Sequence, residues 1–257
     1  MNAVAKREIE AQVVDRLGYV FERHEKRPRE ILTSGINELD QALGGFPRGA
    51  ITEIHGAASC GRTSLMLATL AAATASEETC AVVDCSDSFD LLSAAEAGVN
   101  FDQLLWVRCS DQLEHAFKAV DLLLHGGGFG LVVLNLADVP ARTLRRIVST
   151  WWFRFRRAVE ETPTVLFVAA PVGCARSCAA LALELKADET VWITTRSSTR
   201  EDREMQPVRK HHLSLVANEP ATALVAHSHL LRSLNTRVNR ERPAVFQHSI
   251  GFTAQAR

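Results

Sequence analysis

Ile51–Leu70 reads ITEIHGAASCGRTSLMLATL, and this stretch decides the fold. The β-branched run Ile51–Ile54 predicts a short strand. Gly56-Ala57-Ala58-Ser59-Cys60-Gly61-Arg62-Thr63-Ser64 follows, and the Ala/Leu-rich run after it, free of Gly and Pro, predicts a helix. Strand, glycine loop and helix in that order give the outline of a phosphate-binding loop. In G-x-x-x-x-G-K-[ST] the glycines let successive backbone N–H groups face a triphosphate and the helix N-terminus adds positive potential. Lys then reaches the outer phosphates, and Ser/Thr holds Mg²⁺. Gly56, Ser59, Gly61, Thr63 and Ser64 stand in the frame here, but Arg62 takes the lysine position. A guanidinium is a wide planar fork, not a compact charge on a flexible stem, so the exchange is not conservative inside a tight phosphate cradle. The loop predicts a fold more securely than a reaction.

Outward from this loop, 257 residues of near-average apolar content suffice for one large α/β domain with extensions and a sizeable core. A net charge of −1 excludes a polycation, so any nucleic-acid surface has to be a local patch. Charge is uneven, however: from His227 to Arg257 five arginines face one glutamate, a net +4, with three histidines besides. Cys60, Cys80, Cys85, Cys109, Cys174 and Cys178 form no C-x-x-C pair and follow no secretory leader, which predicts free buried thiols and no metal site. No apolar run approaches the roughly 18–20 residues of a membrane span, so a soluble, cytoplasmic chain without membrane contact is expected.

Ile9, Val13, Leu17 and Val20 recur at helical spacing between charges, so residues 1–30 read as an amphipathic helix with a Lys26-Arg27-Pro28-Arg29 linker. Ser34 or Asn37 can cap a short helix ending at Gly44-Gly45. Further strands are expected at Thr79–Asp84, Leu104–Val107, Leu131–Leu136, Thr164–Ala170 and Val191–Thr195. The continuous apolar run of Leu131–Leu136 suits a strand buried on both faces of a parallel sheet. Helices are expected at Gln112–Leu124, Arg142–Val159 and Cys178–Leu185, the second carrying Arg145, Arg146, Arg154, Arg156 and Arg157 beside Trp151 and Trp152. Alternating strands and helices predict an α/β fold, a doubly wound and mostly parallel sheet flanked by helices. Arg196–Lys210 reads as a charged surface loop and His212–Ala217 as an edge strand. The core is expected to span 31–219, with 220–257 a weakly ordered basic tail.

TSGINELDQALGGFPRGAITEIHG, running from Thr33 into the glycine loop, closely resembles the entry to the ATPase core of the RecA recombinase family. The likeness continues through Cys80–Asp84, the Asp90 region and Ala95–Val99 to Leu105, and covers about Ile31 to Ile193. It implies a RecA-like P-loop core. It also implies three chemical positions beyond the loop. Where the family has an Mg²⁺-ordering Asp at the end of the buried strand, this chain has Asn135. Where the family has a catalytic Glu two residues past the Asp ending the second strand, it has Ser86, with Asp87 next door. Where the family has a phosphate-sensing Gln, it has Pro171.

Arg62, Ser86, Asn135 and Pro171 depart together, which argues against efficient ATP hydrolysis. Each such group contributes a few kcal/mol and acts as part of a unit. The expectation is a pseudo-ATPase with no cofactor used in turnover, ATP and Mg²⁺ being held weakly if at all. The two DNA-binding loops that the family places after the third and fourth chemical strands are cut to about 136–140 and 172–176. The Arg/Trp helix then has three readings: weak DNA binding, a protein-binding face, or aromatic rings in the core under solvated arginines.

A RecA-like core without these groups most resembles the ImuA-type accessory proteins of bacterial mutagenic translesion synthesis. That resemblance implies association with RecA, with an inactive ImuB-type Y-family polymerase homologue and, indirectly, with an error-prone C-family polymerase. The competing classes are a divergent RecA- or RadA-like ATPase and a modulator of RecA filaments. The N-terminal helix can pack on this chain's own core or on another molecule. By resemblance to the recombinase family, whose N-terminal helix packs on the neighbouring filament subunit, Ile9, Val13 and Leu17 are the candidates for docking on RecA. Leu230, Leu231 and Leu234, at helical spacing with Arg237 and Arg240, are left for the polymerase-side partner.

Overall fold

The structure, a computed structural model, describes residues 30–194, 229–243 and 250–255. β1 (Ile31–Leu32) pairs antiparallel with β2 (Phe46–Pro47) around α1 (Asn37–Leu43). Ser34 shapes the turn into α1, its Oγ accepting the Ile36 N–H, while Gly44 closes the helix at φ +78°. Then follow β3 (Ala50–Gly56), α2 (Arg62–Ala75), β4 (Cys80–Asp84), α3 (Leu91–Glu96), β5 (Leu104–Arg108), α4 (Leu113–Gly126) and β6 (Leu131–Asn135). The chain continues through α5 (Ala141–Leu144), α6 (Ser149–Val159), β7 (Val165–Ala170), β8 (Ala179–Thr194), β9 (His229–Arg242) and β10 (Ile250–Gln255).

One eight-stranded sheet, in the order β10-β9-β8-β3-β7-β6-β4-β5, carries the fold. From β8 to β5 all neighbours run parallel; β9 and β10 extend the sheet antiparallel. Side chains alternate across the pleat, so adjacent residues feed two different cores. Val82 and Val133 join Leu65, Leu70 and Ala94 of α2 and α3 on one face. Ala81, Val83, Val132 and Leu134 meet Phe117, Trp152 and Phe155 of α4 and α6 on the other. Burial on both faces explains why β4, β6 and β7 read as unbroken apolar runs.

Three expectations change. Cys178–Leu185 is not a helix: after a single 3₁₀ turn the chain enters β8, and Leu181, Leu183 and Leu185 are buried at a period of two. Its Ala/Leu content imitates a helix, but the alternation of LALELK is that of a strand between β3 and β9. Arg142–Val159 is two helices, because Val148 takes an extended conformation (ψ 134°) at the N-cap of α6. The boundary at 219/220 does not divide the sheet either. Residues 229–242 and 250–255 are strands of the same sheet, and Leu234, Val238 and Phe252 are buried. Leu230 and Leu231 pair with Ile193 and Trp192 as strand residues, so the helical spacing of the leucines was coincidental. The expected N-terminal helix, the 196–210 loop and the 212–217 strand lie outside the described residues.

Val133 and Val238, in β6 and β9, enter the same core. Val133→Asp and Val238→Asp should therefore each cost at least about 3 kcal/mol by burying an unpaired charge, read from denaturant midpoints. A wild-type midpoint for Val238→Asp would show that β9 is no part of the cooperative unit.

Candidate functional site

The glycine loop sits between the C-terminal end of β3 and the first turn of α2. Ala57, Ala58 and Ser59 are exposed at its tip, with Ser59 at φ +58°, and Cys60 turns inward to 2% exposure. Gly61 takes φ +92°, a conformation that suits a residue without a Cβ. The loop is backed by the C-terminal strands. Thr236 of β9 donates its hydroxyl to the Cys60 carbonyl at 3.1 Å. A Cβ on Gly61 would collide with Thr236 Oγ1, and one on Gly56 with the Leu185 carbonyl.

Arg62 opens α2 but is buried, 8% exposed, with Nη1 at 3.5 Å from the Ala137 carbonyl in the loop after β6. It ties the head of α2 to the end of β6. Thr63 is exposed and Ser64 partly so. Both line a groove of about 470 Å³ that continues along α2, α3 and β10 past Leu67, Ser93 and Phe252.

At the ends of β4 and β6, Asp84 and Asn135 are register partners. Asp84 is fully buried and accepts the Phe89 N–H at 2.7 Å and the Asn135 amide at 3.1 Å. Asn135 Nδ2 also donates to Ser88 Oγ at 3.1 Å, while its Oδ1 accepts the Ala137 N–H at 3.2 Å. The amide is thus engaged at both ends in holding a buried carboxylate and two loops. Ser86 is partly exposed, and its neighbour Asp87 forms a two-pronged ion pair with Arg108, at 3.2 and 3.0 Å. That pairing engages the carboxylate next to Ser86 in the chain. Pro171 directly follows β7 and presents no polar side chain.

Two polar groups on β3 carry structural weight that the motif reading passed over. Glu53, 2% exposed, accepts the N–H groups of Cys174 at 2.5 Å and Ala175 at 2.8 Å, fixing the segment that crosses from β7 to β8. His55 Nε2 lies 3.0 Å from Glu241 of β9, joining the strand before the loop to the C-terminal strands. Their signal in the sequence is polar residues two apart, Glu53 and His55, within an otherwise buried strand.

The intervals available for DNA loops are 136–140 after β6 and 171–175 after β7, as short as expected. On α6, Trp152 is 1% exposed and packs edge-on against Phe117 and Phe155, and Trp151 also meets both rings. Arg154 grips Asp121 of α4 through two short contacts and lies over Trp151. Arg145, Arg146, Arg156 and Arg157 remain exposed. The expected partner residues Arg237 and Arg240 are strand residues of β9. Arg237 pairs with Asp188 at 2.8 Å, and Arg240 has a buried Nε with no hydrogen-bond partner among the described residues. Ile9, Val13 and Leu17 fall outside the described residues.

All six cysteines are buried and free, and no group of three metal-ligating side chains is assembled among the described residues. Burial first, then neighbouring negative charge, pushes the Cys80 thiol up to about 12 and the Cys85 thiol up to about 11. Burial, then Glu53, raises Cys174 as well. No helix among the described residues is long and apolar enough to cross a membrane.

Strand, glycine loop and helix on a parallel sheet define a P-loop α/β domain, one in which the side chains around the loop bind one another. The chain belongs to the RecA N-terminal domain family, whose model matches residues 4–145. Protein RecA of Ectopseudomonas oleovorans is 42% identical over 110 residues, 41% of this chain and 31% of that protein. Protein RecA of Deinococcus radiodurans is 41% identical over 118 residues, 45% of this chain and 32% of that protein. The RecA of Laribacter hongkongensis is 37% identical over 108 residues, 41% and 30% of the two chains. The chain spans about a third of the length of the curated relatives it matches.

Asn135→Asp should not restore a metal site. It removes a donor to Asp84 and sets two buried carboxylates side by side, at a cost of about 3 kcal/mol. The new carboxyl would bind its proton more tightly folded than unfolded. The deficit should therefore be full above its raised folded pKa and shrink as pH falls through it. Urea melts at neutral and acidic pH check this; a variant as stable as wild type at neutral pH would refute it. The thiols give a second test. Raised pKa values keep Cys80 and Cys85 protonated at neutral pH, so native protein should resist Ellman's reagent, with reaction rising only on strong alkalinisation or unfolding. Rapid native labelling of either would contradict the burial.

Proposed function

We propose that this chain is a catalytically degenerate RecA-like accessory protein of ImuA type in SOS-linked, error-prone translesion DNA synthesis. In this reading it works in the cytoplasm by binding RecA and an ImuB-type Y-family polymerase homologue, and reaches an error-prone C-family polymerase through the latter. Family membership and the RecA names of its relatives support the DNA-repair setting.

One observation carries the loss of catalysis: Asn135, at the magnesium position, spends its amide on Asp84, Ser88 and Ala137. A neutral amide so engaged supplies no charge to favour a divalent cation. Arg62 directed to the Ala137 carbonyl, Asp87 held by Arg108, and Pro171 add to the same conclusion. Removing several members of one catalytic unit leaves little for the others to act with. A RecA-like body that does not turn over ATP retains surfaces for protein contact, which is the role proposed.

The test is calorimetry and phosphate release with ATP and Mg²⁺ on the full chain, beside Arg62→Lys and Arg62→Ala. Neither wild type nor Arg62→Lys should turn over ATP above Arg62→Ala, because Ser86, Asn135 and Pro171 remain. Tight saturable binding with turnover that Arg62→Ala removes would instead establish a divergent ATPase. For partners, the purified chain should co-elute with RecA or with an ImuB-type homologue; failure with both would remove the accessory reading.

A further inference from the structure

The outward face of α6 carries an unusual juxtaposition. Trp152, Phe155 and Val159, at i, i+3 and i+7, already give this helix a complete buried stripe against α4. At 3.6 residues per turn, Phe153 and Arg157 lie away from that stripe, with Arg156 between Phe153 and the stripe's edge. Phe153 is 52% exposed there, and Val148, at the N-cap, is 58% exposed. A single exposed apolar residue is ordinary. This one has cations beside it on the helix, Arg156 and Arg157 one turn on, and Arg146 precedes α6 in the chain; all three are exposed. Among the described residues none of these three arginines forms an ion pair, whereas Arg154 is committed to Asp121 and Trp151.

We propose that this face docks an acidic segment of a partner protein, with Phe153 as the anchor inserted into an apolar cleft and Arg156 and Arg157 pairing with carboxylates beside it. Aromatic and arginine side chains at the centre of a patch are the residues that concentrate binding energy. Opposite charge around them steers encounter and rejects wrong partners. Nucleic acid fits less well. Trp151 and Trp152, the natural stacking platforms, are packed against Phe117 and Phe155. The inference concerns a surface away from the glycine loop and holds whether or not ATP binds.

The experiment is fluorescence anisotropy on the full chain with four labelled probes. The first is a peptide with Asp/Glu flanking Leu and Phe, the second the same peptide with Lys for each acid. The third has Ser for each apolar residue, and the fourth is oligo-dT. Only the first peptide should bind well. Phe153→Ser should weaken it roughly thirtyfold, and Arg156→Glu with Arg157→Glu should abolish it, while thermal melting of both variants stays at the wild-type temperature. Phe153→Leu, which keeps an apolar anchor, should recover most of the affinity. The proposal is overturned if the acidic peptide does not bind, or if its binding ignores these substitutions. It is equally overturned if oligo-dT binds more tightly with a steep salt dependence that Phe153→Ser leaves unchanged, which would assign the face to nucleic acid.

Discussion

A buried carboxylate with a side-chain amide beside it sets the terms for this molecule. Asp84 lies at the end of a central strand with no exposure, and a charge there is tolerable only where donors surround it. The Phe89 N–H supplies one donor and Asn135 the other. Because Asn135 is the register partner of Asp84 on the adjacent strand, the same contact fixes the loops leaving β4 and β6. An aspartate at 135 could accept the Ala137 N–H but could donate nothing to Asp84. Asparagine at 135 therefore satisfies the buried charge as well as withholding a carboxylate, and the two effects cannot be separated at this position.

The C-terminal strands are the second structural dependence. β9 lies along β8 and brings Thr236 to the back of the glycine loop and Glu241 to His55. Net positive charge and scattered leucines made this segment read as an independent basic tail. What the composition concealed was a strand whose buried positions, Leu234, Thr236 and Val238, alternate with Asn235 and Arg237. Of the arginines that looked like steering charges, Arg237 lies on its other face and pairs with Asp188 of β8, whereas Arg240 shares the parity of the buried positions and has a buried Nε.

Where periodicity and context agreed, the sequence was legible. β4, β6 and β7 fall within a residue of expectation, because a parallel strand covered on both faces is largely apolar, and the edge strand β5 and the polar-punctuated β3 fall within two. The motif positions around Gly56, Arg62, Ser86, Asn135 and Pro171 were legible by likeness to RecA. Their partners were not. Nothing in the order of residues says that Arg62 faces Ala137, that Asp87 meets Arg108, or that Glu53 holds the 174–175 backbone, since these contacts join residues distant in sequence. β8 failed for a different reason. Ala and Leu favour helix locally, and only pairing to β3 and β9 overrides that preference.

The glycines of the loop bear on how the motif frame stands beside Arg62 and Asn135. Gly56 and Gly61 are ordinarily taken as evidence of a nucleotide, since their backbone N–H groups line a phosphate cradle. In this fold each has a second reason to be glycine. A side chain at 56 would strike the Leu185 carbonyl of β8 and the Cys60 sulfur, and one at 61 would strike Thr236 while also straining a backbone at φ +92°. Both demands come from the strands packed behind the loop and persist with no ligand in front of it. Arg62 and Asn135 are under no such packing rule to remain lysine and aspartate. Gly56 and Gly61 are thus required by the architecture whether or not a phosphate or metal is bound, so the two glycines by themselves do not report a nucleotide.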